Sequence, residues 1–524
     1  MQESDFSDRI ANLSPAKLEL LLRQLGKRER QGVSPQSIPR RKNADDHFAP
    51  ASFAQEGLWF LYQLEPESPA YNVTVTVRLE GLLDVSVLGR SLGEVVKRHE
   101  SLRTTFREDA GRLVQIVARP HASLPLPLVE LTSLPRAQRE AEAARLAFQD
   151  SQRPFELTTE PLIRAVILRL DEEQHVAILA MHHIISDAWS LSLLIQEIAT
   201  FYESFSKGLP APLPELSIQF ADYACWQREQ LQGPALESQL AYWMNQLRDL
   251  PPILDLPAGR QRLPNPSSQG ARRFIKLSKE LTGRLKELSR REEATLFMTL
   301  LAAFLILLHR ETRQEDILIG SPIANRTRPE TETLIGLFVN TLVLRGDLSG
   351  NPSFQELVAR VRETTLEADA HQSLPFDKLV KALQPDRAAG QMPLVQVAFT
   401  LRNNPPPILA LPGLVLRPVE TDRSTVQFDL TLNFIEREQA LVGAFEYKTD
   451  LFEAATIDRL WSHYERILET VAAGPQLKLN QIEEAIAEAD RQQWNASKKE
   501  LSAVRLQKSM KIKRKVFSGV QSKG

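Results

Sequence analysis

The run Met181-His182-His183-Ile184-Ile185-Ser186-Asp187-Ala188-Trp189-Ser190 gathers the groups best suited to acid–base chemistry. Histidine titrates near neutral pH, so it can take or give a proton under working conditions. The apolar residues before the pair, from His175 to Met181, read as a buried strand. Behind it, Leu191, Leu194, Ile195, Ile198, Phe201 and Tyr202 recur at helical steps of three and four. The two histidines and Asp187 are therefore expected at a strand-to-helix junction, where a side chain can be both rigidly held and open to a cleft. An aspartate at the mouth of a helix can cap it or pair with a cation, and either role fixes the loop. Neighbouring residues on a strand point to opposite faces, so His182 and His183 cannot easily share one metal ion. The same alternation splits their roles: one faces the cleft, the other the packing beneath. Alone the pattern is a weak signal, and a buried, hydrogen-bonded histidine pair is the ordinary alternative.

Further blocks strengthen the signal. Ser52-Phe-Ala-Gln55-Glu-Gly57-Leu58-Trp59 and Arg98-His99-Glu100-Ser-Leu102-Arg103 precede the histidines. Phe220-Ala-Asp222-Tyr223, Ile319-Gly320-Ser-Pro322-Ile-Ala324-Asn325-Arg326 and Leu334-Ile-Gly336-Leu-Phe338-Val339-Asn340 follow them. His371-Gln372-Ser373-Leu-Pro375-Phe376-Asp377 and Phe428-Asp429-Leu430 come last. In this order the set closely resembles the condensation domain of nonribosomal peptide synthetases, over roughly residues 48–480. The wording around the histidines looks most like the subtype that joins two L-configured units. Three positions depart from the family pattern: Ala188 stands where Gly is usual, Gly57 where Arg is usual, and Ser373 where an acidic residue is frequent.

The resemblance implies a fold of two lobes related to chloramphenicol acetyltransferase, meeting in a V with the histidine loop at their junction. It implies that His183 is the catalytic residue and that Arg326 partners Asp187, a bidentate pair pinning the loop. The reaction would be attack of an amine on a thioester, in which the amine nitrogen must shed a proton. A histidine with a pKa of about 6.5 could take that proton or orient the nitrogen. His182 is expected to pack beneath, catalysis being its weaker reading. Backbone N–H groups at the helix start, around Ala188, Trp189 and Ser190, are candidates for holding the developing oxyanion. Trp189 and Ser190 also read as packing and capping residues. Asn340 and the strand at Phe428–Leu430 are candidates for lining the tunnel, with core packing as the alternative.

Length and composition fit. The 524 residues suggest two lobes plus appendages, and 43% hydrophobic with 25% charged residues are globular values. A net charge of -2 gives no reason to invoke nucleic acid. The single cysteine, Cys225, excludes an internal disulfide framework and fits a reducing, cytoplasmic setting. The chain start lacks a signal-peptide pattern, and the apolar run Leu296 to Leu308 is too short to span a bilayer. Alternating helix and strand patterns give an α/β class with mixed sheets. We expect an N-terminal helix and linker over 1–47, one lobe over 48–215, the second over 216–485, and a basic tail over 486–524. Lys508 to Lys515 in that tail reads as a solvated segment or as a docking element for an acidic carrier or a neighbouring protein.

No Gly-Gly-[His/Asp]-Ser carrier motif or Gly-rich phosphate loop is present. The chain is therefore expected neither to load nor to carry its own substrates. The resemblance implies that it works on substrates held by the phosphopantetheine of partner carrier proteins and binds no cofactor itself; no metal site is expected, and the chain is expected to be a monomer. Two alternatives stand beside amide formation: an ester-forming or free-amine-accepting relative, and a non-catalytic platform that recruits other enzymes. Intact His183, Asp187 and Arg326 argue against the platform.

Overall fold

The structure is a computed structural model that describes residues 37–41, 47–120, 125–159, 161–257, 269–384, 393–402, 410–419 and 423–492. In Asn72–Glu80 the valines at 73, 75 and 77 and Leu79 alternate with polar residues, as a half-buried strand requires. It pairs antiparallel with Gln174–His182, from Asn72 opposite His182 to Glu80 opposite Gln174. Ile163–Asp171 and then Leu128–Glu130 extend that sheet on the far side. Helices Val85–Arg98 and Ala188–Ser206 pack on each other, and Leu92, Val95, Leu194 and Phe201 join Met181 in one core. This is the first lobe, with the histidines at the end of a central strand.

The second lobe is built on a larger mixed sheet ordered Asn340–Asp347, Asp316–Ile323, Val397–Arg402, Leu430–Arg437, Ala440–Lys448, Gln269–Lys276 and Arg423–Thr425. Val397–Arg402 runs parallel to both its neighbours. Helix Leu296–Thr312 is apolar on every side, because it is sandwiched among strands and the helices Lys279–Arg291, Phe354–Ala370 and Ala454–Ala473. The expected helices 279–291, 294–309, 353–370 and 454–472 match to within a few residues. Among the described residues no single helix is long and apolar enough to cross a membrane.

The expected borders need three corrections. Leu414–Pro418, deep in the second half of the chain, pairs antiparallel with Asn72–Glu80 and belongs to the first lobe's sheet, so the division at 215/216 is crossed. Residues 37–41 are not a free linker: Ile38 is buried and Arg41 pairs with Glu100 at 2.7 Å. The tail does not begin at 486, since the helical stretch from 479 runs to 492, buries Ile486 and pairs Asp490 with Arg310 at 2.9 Å. The expected N-terminal helix and the basic tail beyond 492 lie outside the described residues.

Candidate active site

The strand Gln174–His182 ends at His182, and a single 3-10 turn, His183–Ile185, separates it from Asp187, the N-cap of Ala188–Ser206. Three contacts pin this turn. The His183 N–H donates to the Tyr71 carbonyl at 2.8 Å. The Gln55 side-chain amide donates to the Ile184 carbonyl at 3.1 Å, and the Ser186 N–H to the His183 carbonyl at 3.1 Å. Sequence reasoning missed Gln55 as a functional residue, although its spacing from Ser52 is that of a capping box, which the helix Phe53–Leu64 uses.

The histidines divide as the alternation requires. His182 is 5% exposed, beside Tyr71 and Phe155, and its Nδ1 accepts the Ile184 N–H at 3.1 Å. Burial pushes its pKa down to about 3, helped by the neighbouring His183, so the ring is neutral and carries its proton on Nε2. His183 is half-buried and lines a chamber of about 3360 Å³ between the lobes. Its Nδ1 lies 2.6 Å from the Ser186 carbonyl oxygen, which can only accept. Nδ1 therefore carries a proton, and Nε2 is the ring nitrogen left for a partner in the chamber. Tyr71 and Trp189 line the same chamber from the first lobe, and Ser321, Thr341 and Phe428 from the second.

Asp187 and Arg326 meet, but not as a bidentate pair. One guanidinium nitrogen reaches Asp187 Oδ1 at 3.3 Å and Ser190 Oγ at 3.0 Å. The other donates to the carbonyls of Thr331 and, at 2.8 Å, Leu334. Asp187 divides its oxygens too: Oδ1 caps the helix through the Ser190 N–H at 2.8 Å, and Oδ2 accepts the Phe338 N–H at 3.1 Å. Both side chains are almost fully buried, and the Arg326 guanidinium also stacks over the Phe338 ring at 4.0 Å. Burial lowers the Arg326 pKa, and the adjacent Asp187 carboxylate offsets part of that. The pair ties the helix start to the strand-linking segment of the second lobe.

Two expected tunnel residues are elsewhere. Ser190 is fully buried, its hydroxyl donating to the Gly336 carbonyl at 2.8 Å and accepting the Gly336 N–H at 3.0 Å. Those bonds and Arg326 use its whole hydrogen-bonding capacity, so it is a cross-link between lobes. Asn340 is buried as well: its amide donates to the carbonyls of Gln372 and Leu374 and its oxygen accepts the Phe376 N–H, all within 3.0 Å. It clamps the turn before the helix Phe376–Leu383 and does not line the chamber. Ala188 and Trp189 do line it. They open the helix, where backbone N–H groups have no acceptor within the helix. Ala188 has no positive φ, so the glycine usual in its place is not needed for backbone shape. Among the described residues no group of His, Cys, Asp and Glu is arranged to hold a metal ion.

Two sheet-based lobes meeting over a histidine-bearing chamber define an acyltransferase-like architecture. The Condensation domain family model matches residues 45–493, and the chain belongs to that family. It is 46% identical over 456 residues to a linear gramicidin synthase protein of Brevibacillus parabrevis, covering 86% of this chain and 6% of that protein. It is 41% identical over 472 residues to phosphinothricin tripeptide synthetase PhsC of Streptomyces viridochromogenes, covering 90% of this chain and 43% of that protein. Among solved structures it is similar to the X-domain in its complex with OxyB from teicoplanin biosynthesis, with a TM-score of 0.77 and 28% identity, over 86% of this chain and 98% of that one. The relatives are thus nonribosomal peptide synthetases, of whose length this chain spans a fraction.

Proposed function

We propose that this chain forms an amide bond between a donor acyl or peptidyl thioester and an acceptor aminoacyl thioester, each on the phosphopantetheine arm of a carrier protein, both units L-configured. The observation that supports the reading is the placement of His183 on the chamber wall with its Nδ1 2.6 Å from the Ser186 carbonyl oxygen, which leaves Nε2 as the ring nitrogen available to substrate. The acceptor amine attacks the thioester carbon, and the carbonyl oxygen gains charge next to the amides of Ala188 and Trp189. His183 Nε2 orients the nitrogen or takes its proton. The tetrahedral intermediate then collapses, the C–S bond breaks, and the proton ends on the departing thiol. Holding both arms in one chamber supplies further acceleration by proximity. The chain needs no cofactor of its own in this scheme, since the reactive thioesters belong to its carrier partners, and the setting is the cytoplasm.

The test is direct. Carriers loaded with donor and acceptor are mixed with the protein, and intact mass spectrometry follows the donor onto the acceptor carrier. Growth of the acceptor carrier by the donor mass supports the reading. A second reading is favoured by the likeness to an X-domain solved with OxyB: a platform that recruits another enzyme. No transfer with any cognate carrier pair, together with stable capture of a tailoring enzyme, would favour it.

A further inference from the structure

The segment after Glu332 passes beneath the His183 loop and leads into the strand Asn340–Asp347. Its backbone is gripped by side chains of the first lobe. Asp187 and Ser190 take Phe338 and Gly336, as described above. Ile335 is held separately: its N–H points at His99 Nδ1 at 3.4 Å, and its carbonyl accepts the Ser101 hydroxyl at 2.7 Å. Its side chain is buried in the first lobe's core beside Leu102 and Ile184. There is no slack next door, because a Cβ on Gly336 would lie 2.0 Å from the Phe220 ring.

His99 is built for this contact. It is fully buried, and its Nε2 lies 2.9 Å from Glu197 Oε2, whose other oxygen accepts Arg98 Nε at 3.0 Å. A proton on Nε2 leaves Nδ1 as an acceptor, and only the neutral ring offers one. Desolvation holds the His99 pKa below its usual value against the pull of Glu197, and Arg98 and Arg326 oppose protonation too. Val339 and Thr341, a few residues beyond Ile335, line the same chamber as His183.

We propose that His99, together with Ser101, is a positioning residue that seats Ile335 and thereby sets the distance of the second lobe's chamber wall from His183. The rate arm of the test rests on the condensation reading; the distance arm does not. Spin labels are placed at the exposed Arg145 and Arg284, one on each lobe, with Cys225→Ser as background. The distance distribution is expected to broaden or shift in His99→Ala and to return in His99→Asn, whose Oδ1 can accept the Ile335 N–H. In single turnover, His99→Ala should lower the rate constant about tenfold with little loss of amplitude, and His99→Asn should recover most of it. Should His99→Ala fail to fold, Ser101→Ala, which deletes one hydrogen bond, carries the same expectations. Wild-type distances in the Ala variants, or a loss of amplitude at an unchanged rate constant, would overturn the proposal. Absence of transfer by the wild-type protein would count against the condensation reading alone, leaving the distances to decide this one.

Discussion

His183 Nδ1 and the Ser186 carbonyl oxygen are 2.6 Å apart, a contact made within the same tight loop. It selects the tautomer and the ring orientation together, which a histidine on a freely rotating side chain would not have. His183→Ala should therefore slow single-turnover transfer by at least about 100-fold while the melting temperature stays close to wild type. His182→Ala should do the reverse. Deleting a buried ring whose Nδ1 satisfies the Ile184 N–H should cost roughly 2–4 kcal/mol, read by thermal or urea melting. Full transfer by His183→Ala would remove it from the mechanism.

The Asp187–Arg326 contact should be cooperative. Removing either side chain leaves the other nearly fully buried and charged, with a cost of roughly 3–5 kcal/mol. Because Asp187 also caps the helix and holds Phe338, Asp187→Ala should be at least as damaging as Arg326→Ala. The double variant should fall short of the sum by about 1–3 kcal/mol in a double-mutant cycle. A coupling energy of zero would mean that the contact contributes nothing.

Two buried groups should shape the pH dependence of stability in opposite senses. Asp377 lies where a Cβ on Gly57 would come within 2.0 Å of its carboxyl, and burial pushes its pKa up to about 6, with Glu56 adding to the effect and Lys381 opposing it. Its folded pKa exceeds the unfolded one, so the folded protein binds more protons and loses stability as pH rises from about 4 through 6, by roughly 3 kcal/mol in all. His182, held neutral, acts the other way: its folded pKa is below the unfolded one, and stability drains as pH falls below about 6.5. Asp377→Asn should thus steepen the rise of stability between pH 4 and 6, as measured by urea midpoints. An identical profile in the variant would refute the assignment.

Ala188 offers a test of chamber shape. Its methyl group sits at the exposed start of the helix, on the chamber wall, with no φ that calls for glycine. Ala188→Gly should leave stability within about 1 kcal/mol of wild type and either raise turnover or admit bulkier acceptors. Equal rates for both proteins on every acceptor tested would show that the methyl group does not narrow the chamber.

Much of this protein is legible in its residues because the signals involved are local. Alternating valines make Asn72–Glu80 a strand, the spacing after Asp187 makes a helix, and the strand-to-helix junction marks the histidines as candidates for chemistry. Asp187 and Arg326 are paired through the resemblance of the ordered blocks. What no local pattern contains is how hydrogen bonds are shared between distant segments. Nothing near Ser190 announces that its hydroxyl is consumed by Gly336 and Arg326. Likewise nothing near Asn340 points to the turn at Gln372–Phe376. Nor does the run Leu414–Pro418 reveal that its edge partner lies more than three hundred residues earlier, since any half-buried strand presents the same backbone groups to any free edge. Those pairings depend on which edges and orphaned polar groups the assembled lobes bring within reach. For that reason it took the assembled fold to establish that His183 faces the chamber while His182, Ser190 and Asn340 hold it together.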